Sequence, residues 1–296
     1  MLLQESSMTK LWLQALRLQH WLKNFFVFAP FLVGPKFGLN EYLLKSLSGV
    51  FLFGLMSSAV YVFNDIVDIN SDREHPEKRF RPIASGKISV PTAICMSVVL
   101  SSIPLILAFF LNVNFFLALV AYAANNLLYS FYFKNKTVLD IMSIAFGFVI
   151  RTYAGGFVIG IDITNWMIVC IFCLSLFLGF GKRRSEIEAL GHEARNVRKV
   201  HESYTIQKLN LLLGVSASIT IVVYMLYSMA PETRAIHGTD NLVFTTPFVI
   251  YCIYRYLLKV QEKKRGEGPV EIILRDKGFL LAGCLWIISF VFLVHS

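Results

Sequence analysis

Charge is scarce in this chain: 16 % of its 296 residues are Asp, Glu, Lys or Arg, against 56 % hydrophobic ones. A soluble domain of this size carries more charge. Cysteine is also sparse, with five residues, all within or beside apolar segments. Cys170 and Cys173 form a C-x-x-C inside an apolar block with no second pair nearby. Neither a disulfide framework nor a zinc site is expected from that placement, and the residues read as small packing groups. Period-2 alternation is missing, and lipid forbids open sheet edges, so helices are the only sensible assignment. Nothing resembles a Ser/His/Asp triad, a P-loop or a nucleic-acid module. No cleavable signal is expected either, since Met1 to Lys23 is polar and amphipathic and no small-residue cleavage site follows the first apolar block.

What is abundant is apolar sequence in long blocks, with 26 phenylalanines. Blocks near 18 residues or more read as membrane spans. About nine are expected, at 22–35, 46–63, 92–110, 115–133, 138–160, 165–181, 211–230, 242–258 and 279–295. Pro30 and Gly34 interrupt the first. The expected fold class is an all-α integral membrane protein: one domain over 1–296, a bundle around a central cavity open to the cytoplasm and laterally to lipid.

The formal charge is +9, but its placement carries more information. Segment 64–91 holds Arg73, Lys78, Arg79, Arg81 and Lys87, and segment 182–210 holds Lys182, Arg183, Arg184, Arg195, Arg198, Lys199 and Lys208. Lys134 and Lys136 lie between spans four and five, and Lys259, Lys263, Lys264, Arg265, Arg275 and Lys277 between spans eight and nine. The alternate connections are almost bare, with Lys36 and Lys45 a small exception. Positive loops face the cytoplasm. The expected setting is a bacterial inner membrane, with a cytoplasmic N-terminus, the loops at about 64–91 and 182–210 cytoplasmic, and the C-terminus outside.

The strongest chemical signal is Asn64-Asp65-Ile66-Val67-Asp68-Ile69-Asn70-Ser71-Asp72, at the cytoplasmic end of span two. On a helix, Asp65, Asp68 and Asp72 fall at i, i+3 and i+7 and share one face. Like charges at that spacing repel, and a hard divalent cation relieves the repulsion. Mg²⁺ takes oxygen from one or two carboxylates and completes its shell with substrate phosphate and water. Asn64 would help orient that shell. Cations follow at once in K-R-F-R-P-I-A-S-G, where Arg79 and Arg81 suit phosphate oxygens. A solvated acidic turn beside ordinary positive-inside charge is the plainer reading of the same residues.

N-D-x-x-D-x-x-x-D followed by R-P-I-A-S-G resembles the first signature of the UbiA superfamily of intramembrane prenyltransferases, and the nine-span plan matches it. The resemblance implies a second Asp motif, roughly D-x-x-x-D, between spans six and seven. Here that stretch reads Gly181-Lys182-Arg183-Arg184-Ser185-Glu186-Ile187-Glu188, without an aspartate. That stretch, L-R-L-Q-H-W-L-K-N near Trp21, Y-S-F-Y-F-K at Tyr129–Lys134 and G-F-V-I-R-T-Y-A-G at Gly147–Gly155 together resemble the decaprenyl-phosphate phosphoribosyltransferase branch. The implied reaction moves phosphoribose from phosphoribosyl diphosphate (PRPP) to a polyprenyl phosphate, with Mg²⁺ as cofactor and lipid as surroundings. Holding a diphosphate, a 5-phosphate and an acceptor phosphate calls for more cations and fewer carboxylates, which Lys182 and Arg183 supply. Both are candidate catalytic residues. Glu186, four residues after Lys182, either completes a Mg²⁺ shell or pairs with Lys182.

Arg151 lies about eleven residues, roughly 16 Å, into span five after Asp140. A charge at that depth faces a cavity or a partner. Asp140, Gly147 and Arg151 share a helical face, and Arg151 is expected to make either a structural Asp–Arg pair across helices or a substrate contact. Asn126, Ser130 and Lys134 form an i, i+4, i+8 stripe on span four, and Lys23 and Asn24 begin span one at similar depth. Unsatisfied polar stripes are costly inside a bundle, so both are candidates for lining a pocket. Tyr129, at the head of Y-S-F-Y-F-K, joins the candidate substrate contacts. Tyr122, Tyr132, Trp166 and Trp286 are read as interface aromatics, and His75 and His192 as surface residues. A conventional aromatic prenyltransferase would need the second Asp cluster. A non-enzymatic lipid carrier would also explain polar residues within spans, but no internal repeat supports it. A homo-oligomer is left open.

Overall fold

The computed structural model describes residues 8–75, 77–190, 203–262 and 268–295. Among these, all regular structure is helical. The helices are α1 (Met8–Leu16), α2 (Phe25–Val33), α3 (Asn40–Val67), α4 (Ile69–Glu74), α5 (Val90–Leu111), α6 (Val113–Phe131), α7 (Leu139–Ile159) and α8 (Asn165–Leu190). They continue with α9 (Ile206–Met229), α10 (Pro231–His237), α11 (Thr246–Gln261), α12 (Pro269–Arg275) and α13 (Lys277–His295).

Eight helical segments among the described residues are long and apolar enough to cross a membrane. They correspond to the second through ninth expected spans. The expected span 22–35 is the difference: it holds only the nine-residue α2, with Pro30 inside and a tight 3-10 segment, Leu18–Asn24, before it. Nine residues reach about 14 Å, less than half a hydrocarbon core. Large apolar side chains such as Phe110, Leu211 and Met229 lie exposed on the spans, as a lipid-facing surface requires. The chain is a multi-pass membrane protein.

Helix boundaries follow local chemistry. Ser89 caps α5, its Oγ accepting the Thr92 N–H at 3.3 Å, and Thr205 caps α9 through the Lys208 N–H at 3.2 Å. Pro91 and Pro231 stand in the first turns of α5 and α10, where no intrahelical donor is needed.

The chain divides into two compact units. The first comprises Met1–Ala29, Leu39–Phe131 and Ile150–Gly160. Its centre is α3, packed chiefly on α5. Gly54 of α3 makes room for the Trp21 ring, which a Cβ there would meet at 2.9 Å. Trp21 Nε1 donates to Ser58 Oγ at 3.0 Å, and Ser58 Oγ to the Leu16 carbonyl at 2.8 Å. Those contacts dock the 3-10 segment on α3. The second unit comprises Pro30–Gly38, Tyr132–Val149 and Ile161–Ser296, with α8 packed chiefly on α9. Ile141, Phe177, Leu209, Leu213 and Tyr256 form its main core.

Candidate active site

In the first unit the Asp motif ends α3. The helix breaks at Asp68 (φ −93°, ψ 10°), where α4 begins. The register survives the break, because Asp68 N still bonds the Asn64 carbonyl at 2.9 Å and Asp72 N the Asp68 carbonyl at 2.8 Å. Asp65 and Asp72 are therefore brought to one side, both buried, while Asp68 is half-buried.

A folded turn carries a guanidinium to them. In R-P-I-A-S-G-K-I-S, Ile83 and Ile88 pack into a core with Ala15, Val62 and Ala93. Gly86 takes φ +77°, and Ile88 N donates to the Pro82 carbonyl at 2.9 Å. Only glycine adopts that φ without cost. Pinned in this way, Arg81 reaches back with NH1 to Asp65 Oδ1 at 3.1 Å and Asp72 Oδ2 at 2.6 Å. Arg17 also pairs with Asp65, and its guanidinium lies over the Tyr61 ring at 5.3 Å. Burial pushes the Arg17 guanidinium below its ordinary pKa, with the Asp65 charge opposing that push. Its backbone is left-handed, at φ 50°, an unusual conformation for a side chain with a Cβ. Asn64 is held by the Ser130 hydroxyl, which donates to its Oδ1 at 2.5 Å.

The turn before Arg81 depends on a neutral imidazole. His75 Nδ1 accepts the backbone N–H groups of Glu77 at 3.1 Å and Lys78 at 3.3 Å. Burial, then the Lys78 charge, lowers the His75 pKa. The turn's stability is thus complete above the unfolded-state pKa of about 6.5 and is lost as pH falls through the lower folded value. We expect activity of the wild type to fall along an acid limb below about pH 6.5 that His75→Asn, whose amide oxygen accepts without titrating, flattens. Initial rates across pH for both proteins check this. An identical acid limb in His75→Asn contradicts it. His75 is therefore more than the surface residue the sequence suggested.

Deeper in the same unit, Arg151 is buried. Its Nε donates to Asn24 Oδ1 at 3.2 Å and its NH2 to the Tyr122 hydroxyl at 2.8 Å. The guanidinium lies 4.6 Å from the Tyr122 ring centroid and 5.3 Å from that of Phe53. Tyr122, read from sequence as an interface aromatic, is instead a buried hydrogen-bond partner. Lys23, half-buried, stands close enough to Arg151, Arg17 and Tyr129 for their electrostatic fields to reach it. Asn126 Nδ2 donates to the Tyr122 carbonyl at 2.8 Å, and Ser130 Oγ lies 2.9 Å from the Asn126 carbonyl. The expected stripe stops there, because α6 ends at Phe131 and Lys134 lies in a 3-10 turn beyond it, in the second unit. Tyr129 is half-buried on α6. Arg79 is exposed and stacked on Phe80 at 4.8 Å.

The second unit has its own ionic cluster. Asp140 is fully buried. It accepts Arg183 Nε at 2.7 Å and the Tyr204 hydroxyl at 3.1 Å. Tyr204 in turn accepts the N–H of Val138, whose backbone is left-handed at φ 69°. Arg183 NH1 donates to Glu186 Oε2 at 2.5 Å, and Lys182 Nζ lies 3.7 Å from Glu186 Oε1. Thus the Lys182–Glu186 pairing forms, and the partners described for Asp140 are Arg183 and Tyr204. Arg184 donates to Asn210, Glu188 and the Val260 carbonyl. His192, Arg195, Arg198, Lys199, Lys263, Lys264 and Arg265 lie outside the described residues.

Asp65 and Asp72, held by Arg17 and Arg81, thus form a buried ionic cluster in the first unit. The donor set suits Mg²⁺: Asp65 and Asp72 offer hard oxygens already gathered around one cationic group. No group of three His, Cys, Asp or Glu able to hold a metal occurs among the described residues.

The model of the UbiA prenyltransferase family matches residues 25–270, and the chain belongs to that family. It is 35 % identical over 278 residues to the decaprenyl-phosphate phosphoribosyltransferase of Mycobacterium tuberculosis (strain H37Rv), covering 93 % of this chain and 91 % of the relative. It is 34 % identical over 293 residues to the decaprenyl-phosphate phosphoribosyltransferase of Corynebacterium glutamicum, covering 96 % and 86 %. Among solved structures, a UbiA homologue from Archaeoglobus fulgidus bound to GPP and Mg²⁺ superposes with a TM-score of 0.71 at 19 % identity, covering 97 % of this chain and all of that one. That likeness is one of fold.

Proposed function

We propose that the protein transfers 5-phosphoribose from PRPP to a polyprenyl phosphate, such as decaprenyl phosphate, and releases diphosphate. The carrying observation is the cationic stretch Gly181–Glu186, standing where the family resemblance leads one to expect aspartates, in a chain that keeps the first motif. The 35 % identity to the Mycobacterium tuberculosis relative over 93 % of the chain supports the same reading.

In this reading Asp65 and Asp72, with Asp68 beside them and Asn64 behind, hold Mg²⁺, which when bound neutralises charge on the diphosphate as a Lewis acid. Arg81 and Arg17 exchange carboxylate for phosphate oxygens, which accept a guanidinium fork equally well. These fixed cations stabilise the diphosphate as the C1–O bond breaks and the electron pair leaves with it. An oxygen of the lipid phosphate forms the new bond to C1. That phosphate is already ionised, so the chain supplies no general base. Within the first unit, Lys23, Arg79, Asn126, Tyr129, Ser130 and Arg151 are the remaining candidate substrate contacts; within the second, Lys182 and Arg183 are the candidate catalytic cations, with Asp140, Glu186 and Lys134 as further candidates. The positive-inside pattern supports a bacterial inner membrane, with the Asp motif on the cytoplasmic side, where a water-soluble donor is at hand.

Purified protein given Mg²⁺, radiolabelled PRPP and decaprenyl phosphate is expected to yield a labelled lipid, and excess EDTA to prevent it. No labelled lipid, with turnover of a prenyl diphosphate and 4-hydroxybenzoate instead, would establish a conventional aromatic prenyltransferase.

A further inference from the structure

The cluster around Arg151 contains a donor with no partner among the described residues. Asn24 is fully buried. Its Oδ1 accepts Arg151 Nε at 3.2 Å and Ser57 Oγ at 3.4 Å, which fixes the orientation of the amide. Its Nδ2 has no acceptor among the described residues. Buried amide donors are nearly always satisfied, and leaving one unmade costs more than making it gains. The Arg151 guanidinium bonds that same amide, and the Tyr122 hydroxyl and Phe53 ring help to position it. Lys23 adds a further cation within electrostatic range.

We propose that Asn24 and Arg151 form an anion subsite that takes a phosphomonoester, separate from the Asp65–Asp72 site. The proposal rests on the phosphoribosyl-transfer reading and deepens it. Ser57, against Asn24, and Asp65 stand eight residues apart on α3, about 12 Å along its axis. A diphosphate seated at Asp65 therefore does not also occupy Asn24. Two phosphomonoesters in the reaction have the right chemistry, the 5-phosphate of the donor and the phosphate of the lipid. Asn24 Nδ2 supplies one fixed donor to its oxygens and Arg151 supplies the charge.

Asn24→Asp tests this with little change of shape. It keeps an oxygen toward Arg151 but replaces the free donor with a carboxylate oxygen that repels an anion. The KM for one phosphate-bearing substrate is expected to rise roughly ten-fold or more, while the Mg²⁺ dependence is retained. A rise confined to PRPP, and abolished with ribosyl diphosphate lacking the 5-phosphate, identifies the donor phosphate. A rise confined to decaprenyl phosphate identifies the lipid. Unchanged KM values for both substrates in folded protein overturn the subsite. If Asn24→Asp does not fold, Asn24→Ser, which is smaller and uncharged, carries the same comparison. A measurement without any donor separates this proposal from the functional reading: inorganic phosphate is expected to raise the unfolding temperature of the wild type more than that of Asn24→Asp. Equal shifts, or none in the wild type, overturn the subsite. A shift lost in Asn24→Asp in a protein that ignores PRPP keeps the subsite and removes the phosphoribosyl reading.

Discussion

Asp65→Asn is expected to lower turnover by roughly a hundred- to a thousand-fold, the cost of removing one electrostatic anchor from a preorganised site. Two effects add here. The amide is a far weaker ligand for a divalent cation than the carboxylate. The substitution also leaves Arg17 and Arg81 facing a neutral group, since Asp65 pairs with both. Breaking a buried pair in this way destabilises by about 3–5 kcal/mol. Arg81 keeps Asp72 at 2.6 Å, so the loss falls mainly on Arg17. Asp72→Asn should cost less stability, because its partner Arg81 retains Asp65. Initial rates over a Mg²⁺ titration, read beside folded yield and unfolding temperature, distinguish lost chemistry from lost fold. Near wild-type rates in Asp65→Asn would remove the carboxylate from the mechanism.

The largest stability effect is expected in the second unit. Arg183→Met should destabilise by about 3–5 kcal/mol, because it strands a buried carboxylate. Asp140 is fully buried and would keep only the Tyr204 hydroxyl of the two partners described for it. Adding Asp140→Asn to Arg183→Met should restore part of the loss, since no unpaired charge then remains. Arg183→Lys should fall between, keeping the charge but not the two-sided reach to Asp140 and Glu186. Thermal unfolding of the purified proteins in one detergent checks the order. A double variant less stable than Arg183→Met alone would contradict a paired-charge origin.

The spans and the Asp motif were legible because their signals are local. Long apolar blocks and an i, i+3, i+7 run of carboxylates need no tertiary knowledge. The α2 region misled because an apolar block interrupted by Pro30 and Gly34 is long enough in sequence but short as a helix. Arg17 was missed although L-R-L-Q-H-W-L-K-N drew attention. Its partner Asp65 stands 48 residues away, and only the docking of Trp21 against Gly54 brings the two together. Tyr204 was hidden for the same reason, since a tyrosine beside a loop carries no sign that it closes on Asp140. Asp140 and Arg151 share a helix face, yet neighbours on other helices claim each of them. Spacing on one helix states which residues face the same way, and packing decides what they meet.

The choice of donor decides between the two transferase activities. Purified protein given Mg²⁺, decaprenyl phosphate and 4-hydroxybenzoate, with equal concentrations of PRPP and a prenyl diphosphate in one reaction, offers that choice directly. Mass spectrometry of the lipid product is expected to find decaprenyl-phosphoryl-phosphoribose, its formation lost with Asp65→Asn. A prenylated benzoate with PRPP left unconsumed would contradict the account.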